Sequence, residues 1–141
     1  MPERMINILL VEDDEVDVMN VKRAFKEAKI KNQLFTASNG YEALEMLRGD
    51  SDEQVPKERR LVLLDLNMPK MGGIEFLNEL RSDPKLRVTP VVVMTTSNHD
   101  KDRVEAYNLN VAGYLLKPVT FNNFIQLMAT LNSYWMLCEM P

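Results

Sequence analysis

Leu61-Val62-Leu63-Leu64-Asp65-Leu66-Asn67-Met68-Pro69-Lys70-Met71-Gly72-Gly73 is the stretch whose reading decides the fold. Leu61–Asp65 is apolar up to its last residue, so it reads as a strand covered on both sides, the habit of parallel sheets. Asp65 closes that strand, and Pro69 with the two glycines turns the chain away. Working outward, Ile6–Val11 and Pro90–Met94 are runs of the same kind, and Gln33–Ala37 and Gly113–Leu116 are shorter ones. Between them lie segments of helical period. From Glu15 to Ala28 the apolar residues Val18, Val21, Phe25 and Ala28 step by threes and fours. Tyr41–Arg48 ends on Gly49 at a C-cap position, Ile74–Arg81 stops before Asp83-Pro84, and Lys101–Leu109 and Phe121–Leu137 complete the series. Strand and helix alternating five times predict an α/β domain, a doubly wound parallel sheet with helices on both faces.

The chain has 141 residues, 45% hydrophobic and 27% charged, the balance of one globular domain. Seventeen basic and twenty-one acidic residues give a net charge of −4, which disfavours a nucleic-acid partner because no electropositive face is present. One cysteine, Cys138, excludes an internal disulfide and a cysteine-rich zinc site. Apolar runs fall far short of the roughly 20 residues of a membrane span. Arg4 before Ile6–Val11 resembles the opening of a signal peptide, but Glu12-Asp13-Asp14 ends the run too early. A reduced, cytoplasmic protein without a membrane partner is expected. The charged stretch 49–60 is longer than a usual helix-to-strand connection and reads as a solvated loop.

In sheets of this class chemistry gathers at the carboxyl ends of the strands. The five strands here run out, in order, into Glu12-Asp13-Asp14, Ser38-Asn39-Gly40, Asp65-Leu66-Asn67, Thr95-Thr96-Ser97 and Lys117-Pro118. Carboxylates about 4 Å apart repel by ~4 kcal/mol at an effective dielectric near 20, so such a cluster takes up protons or cations unless it splays into solvent. Oxygen ligands with incomplete protein coordination suit Mg²⁺. A plainer reading makes Glu12–Asp14 an acidic helix N-terminus, and Asp65 a turn residue. An Asp held by a rigid strand yet open at its tip is also a competent nucleophile toward a phosphoryl group whose charge a cation offsets. Thr95 adds a hydroxyl and Lys117 a compact cation suited to phosphate.

Glu12-Asp13, Leu64-Asp65-x-Asn-Met-Pro-x-Met-Gly-Gly, Met94-Thr95-Thr96-Ser97 and Gly113-Tyr114-x-x-Lys117-Pro118 together resemble the receiver domain of two-component response regulators, over about residues 5–132. The long loop and the tail Tyr134-Trp135-Met136-Leu137-Cys138 look like the single-domain subgroup that partners bacterial phytochromes. The resemblance implies a flavodoxin-like (βα)5 sheet in strand order 2-1-3-4-5, one domain over residues 1–141 without an output domain, and a histidine kinase as partner. It implies Asp65 as phosphoacceptor. It also implies Mg²⁺, for which Mn²⁺ can substitute, held by Asp13, Asp65, the backbone carbonyl of Asn67 and, through water, Glu12. Thr95 resembles the switch hydroxyl and Tyr114 the aromatic that turns inward behind it. Lys117 is implied to pair with Asp65 and then with the phosphoryl group, and a cis bond is implied at Pro118. Thr96 is bulkier than the residue usual there, which would slow access to the site.

Three other readings compete with this one. A carrier in a multistep relay uses the same residues. An Asp-nucleophile phosphatase needs a second acid where Asn67 stands, and a nucleotide or flavin binder needs a glycine-rich turn after the first strand. His99, the one histidine, reads as a solvated loop residue, and the ten methionines as core filler. The stripe Phe124, Met128, Leu131, Trp135 and Cys138 predicts a last helix that packs on the sheet and then overhangs it, so Tyr134 and Trp135 are expected as a surface for a homodimer or kinase contact.

Overall fold

The computed structural model describes residues 5–141, so Arg4 lies outside the described residues. Five strands, β1 (Asn7–Val11), β2 (Gln33–Ala37), β3 (Arg60–Leu64), β4 (Val91–Thr95) and β5 (Gly113–Leu116), alternate with five helices. These are α1 (Glu15–Glu27), α2 (Gly40–Arg48), α3 (Gly73–Ser82), α4 (Asp100–Asn108) and α5 (Phe121–Trp135). All pairings are parallel and the order is β2-β1-β3-β4-β5, the flavodoxin-like arrangement expected. The reversal of direction between β1 and β3 places the topological switch point at the carboxyl ends of those two strands.

Alternation along the strands splits the core in two. Ile8, Leu10, Leu61, Leu63, Val92 and Met94 face α1 and α5, whereas Leu9, Val11, Val62, Leu64, Val91 and Val93 face α2, α3 and α4. Both faces of the central strands are therefore dry, which is why their sequence shows no polar alternation. α1 starts on Asp14, whose Oδ1 accepts the N–H groups of Val16 and Asp17, and α2 starts on Asn39 in the same way. Gly49 ends α2 at φ +81°, a left-handed turn that glycine adopts without strain.

The stretch 49–60 is less loose than its charge suggests. Val55 is buried and its N–H bonds to Met46 O, while the Arg60 guanidinium donates to the carbonyls of Leu47, Val55 and Pro56. An arginine at the start of β3 thus ties the loop to the end of α2.

The end of α5 corrects the expectation for Trp135, which is 1% exposed and belongs to the α1/α5 half of the core. Ile6, Ile30 and Asn32 lie just before β1 and β2 and extend the floor beyond the strand ends, so the helix does not overhang. Asn132 Oδ1 accepts from both Trp135 Nε1 and Asn32 Nδ2 at 2.8 Å, and Asn32 Oδ1 accepts the Ile6 N–H. Tyr134, the residue before Trp135, is exposed as expected. No described helix is long and apolar enough to cross a membrane.

Candidate functional site

Register brings the strand ends level. Val11 pairs with Leu64, and Leu64 with Val93. Backbone bonds then continue the ladder past the strands: Glu12 N–H to Ala37 O at 2.9 Å, Asp65 N–H to Val11 O at 3.1 Å, and Lys117 N–H to Thr95 O at 2.9 Å. The residues that carry charge are thus held by the sheet itself, before any side chain contributes.

Glu12, Asp13 and Asp65 each offer a carboxylate oxygen, and the three lie within 4.8 Å of one another, with Glu12 and Asp65 buried and Asp13 exposed. That is a set of hard oxygen donors open on one side, the pattern that suits Mg²⁺ or Mn²⁺ with some waters retained. Lys117 enters the cluster from β5. Its Nζ donates to Glu12 Oε1 at 2.6 Å and Asp17 Oδ2 at 2.7 Å, and stands 3.6 Å from Asp65 Oδ2. The expected Lys117–Asp65 pairing is present as the longest of three contacts.

Electrostatics reflect this crowding. Burial pushes the Glu12 carboxyl up to about 7, over the opposing hydrogen bond from Lys117 and with the Asp65 charge adding to the rise. Burial alone would lower the Lys117 ammonium, but the hydrogen bonds to Asp17 and Glu12 outweigh it and hold the group above its ordinary value.

Asp14 takes no part in the cluster; it is the cap of α1, and its own N–H is donated to Glu12 Oε2 at 3.2 Å. Asn67 N–H approaches Asp65 Oδ1 at 3.4 Å, closing a turn over that carboxylate. Gly73 sits against that turn so tightly that a Cβ there would lie 2.6 Å from Leu66 Cα and 2.8 Å from Asp65 O. The second glycine of the deciding stretch is therefore a requirement of close backbone approach.

Thr95 is fully buried and its Oγ1 accepts the Ser97 N–H at 3.3 Å. Ser97 Oγ donates to Asp102 Oδ2 at 2.5 Å, joining the loop after β4 to α4. Tyr114 is half-buried against the α3/α4 side of the core, and its hydroxyl donates to Ser97 O at 2.9 Å. The Thr95 hydroxyl and the Tyr114 ring therefore meet on the backbone of Ser97, a residue to which the sequence pattern assigns no role. Thr96 and His99 are exposed.

The expectation of a cis bond at Pro118 is not met: among the described residues no peptide bond is cis. The trans isomer is favoured by about 0.5–1 kcal/mol, and with it Lys117 already makes both its ladder bond and its carboxylate contacts. Asp17 is the site residue that sequence reasoning misses. It stands four positions after Asp13, and only the rotation of α1 about its axis decides whether it faces Lys117.

The response regulator receiver domain family model matches residues 8–129. The chain belongs to the response regulator receiver family. Receiver domains are parts of two-component signalling systems, not classical enzymes. Response regulator Rcp1 of Synechocystis is 34% identical over 129 residues, 92% of this chain and 88% of that protein. Among solved structures, the phosphorylated cyanobacterial phytochrome response regulator RcpA superposes with a TM-score of 0.86 at 32% identity, covering 97% of this chain and 99% of that one. The Mn²⁺-bound form of Rcp1 does so with a TM-score of 0.82 at 33% identity, over 95% of this receiver and 97% of that chain.

Proposed function

We propose that Asp65 is the phosphoacceptor of this receiver, that it takes a phosphoryl group from a histidine kinase, and that a divalent cation held by Asp13, Asp65, the Asn67 carbonyl and, through water, Glu12 offsets the charge. The observation that carries the proposal is the convergence of the Glu12, Asp13 and Asp65 carboxylates with the Lys117 ammonium at the switch point of the sheet. An ionised Asp65 oxygen attacks phosphorus in line; the P–O bond forms as the P–N bond to the kinase histidine breaks. No general base is required, because the nucleophile carries no proton. Mg²⁺ supplies neutralisation of the phosphoryl oxygens when bound, Lys117 adds a second cation, and the backbone bonds of Asp65 and Glu12 fix the geometry. Water later cleaves the acyl phosphate, and the exposed Thr96 slows its approach.

Thr95 then turns its hydroxyl to the phosphoryl group and gives up the Ser97 N–H, and Tyr114 follows Ser97 inward. The surface of α4, β5 and α5 changes with them, and the signal leaves through protein contacts in the cytoplasm. Likeness to phytochrome response regulators supports a bilin-sensing kinase as donor, and exposed Tyr134 supports a homodimer contact near the end of α5. Acetyl phosphate or a phosphorylated kinase with Mg²⁺ labels the wild-type chain, and Asp65→Asn abolishes labelling; a variant still labelled would place the acceptor elsewhere.

A further inference from the structure

We infer that Asp17 is a positioning residue, an anchor on α1 that holds the Lys117 ammonium away from Asp65 and so leaves the acceptor carboxylate free for the cation. The inference rests on the site proposed above. Asp14 is the N-cap of α1 and Asp17 stands at the third helical position, the place from which a Glu or Gln of a capping box reaches back to the N–H of the cap residue. Here that N–H is taken by Glu12 Oε2. The Asp17 carboxylate is thereby released from capping, and it turns instead to Lys117 Nζ at 2.7 Å.

An ammonium has three donors, and two are committed at short range to Glu12 and Asp17 while Asp65 Oδ2 stands at 3.6 Å. Of the three carboxylates, Glu12 and Asp65 are fixed by backbone bonds to neighbouring strands, whereas Asp17 comes from a helix and keeps about a quarter of its side chain exposed. Lys117 therefore sits where a contribution from outside the sheet draws it. Without Asp17, the freed donor has Asp65 as its nearest open acceptor. Lys117 then competes with the cation for that carboxylate.

A double-mutant cycle on Mg²⁺ affinity of the unphosphorylated chain, read by titration calorimetry, tests this. Asp17→Asn weakens Mg²⁺ binding about fivefold, and Asp17→Ala does the same. In a Lys117→Met background, with Lys117→Gln as the second choice, the same changes at Asp17 alter affinity by less than about twofold, because the residue that Asp17 acts through is gone. Equal weakening in both backgrounds overturns the inference and leaves the site standing, since a direct charge effect or a loosened α1 needs no lysine. Wild-type chain that binds no Mg²⁺ defeats the site reading itself.

Discussion

Glu12 is the residue at which burial and charge conflict most openly. Its side chain is 2% exposed, beside Asp65, and its carboxyl is raised from 4.5 to about 7 with desolvation as the main cause. A carboxyl with a folded pKa above its unfolded one holds a proton more tightly in the folded chain. Its contribution to stability is therefore full below about 4.5 and is lost as pH rises through about 7. In metal-free buffer the melting temperature of the wild-type chain falls between about pH 5 and about pH 8, and Glu12→Gln flattens that fall. Scanning calorimetry with a chelator present checks it; a variant that declines as steeply as wild type would assign the pH dependence to other groups. At this scale the sequence is most informative where the backbone alone sets a side chain's place. Glu12, Asp13, Asp65 and Lys117 come directly after strand ends, so counting strands locates them. Asp17 is met by the Lys117 ammonium, and the Ser97 carbonyl by the Tyr114 hydroxyl, in contacts made across the fold that no spacing rule encodes.

Elements are legible because each carries its own signal, and their ends shift by a residue or two where hydrogen bonding outlasts hydrophobicity. β3 begins at Arg60, a charged residue that no apolar run would include, and β4 extends to Thr95. α4 is the weakest helix in the sequence, and Ala106 is its buried residue. The expectation for α5 fails at its last turn because strand length is a poor measure of the floor beneath it. Residues preceding the strands widen that floor, and Trp135 is held there by Asn132 and, through it, Asn32. Trp135→Ala therefore destabilises the chain by about 3–5 kcal/mol in chemical denaturation. Tyr134→Ala, one position along and 60% exposed, costs less than about 1 kcal/mol. Similar losses at both positions would mean that the two faces of the helix end are equally packed.

For the whole molecule, the site is a place where the sheet's stability and its ligand are linked. Three of the five strand ends supply its charged groups: Glu12 and Asp13 after β1, Asp65 after β3 and Lys117 after β5. A free-energy change in the pocket is thus shared across the central strands and appears in the cooperative unfolding of the domain. A cation bound by the folded state alone raises stability by an amount that grows with its concentration relative to its dissociation constant. Its carboxylate ligands must be ionised, and a Glu12 carboxyl raised to about 7 keeps a proton at the site in mildly acidic solution. The rise in melting temperature produced by Mg²⁺ therefore grows from about pH 6 to about pH 8, opposite in sense to the metal-free decline. Mn²⁺ gives the same trend. Asp13→Asn, which removes an exposed oxygen donor and leaves the buried pair in place, reduces the Mg²⁺ gain across the range. A gain that stays constant with pH, or that survives in Asp13→Asn undiminished, would locate the stabilising cation outside this cluster.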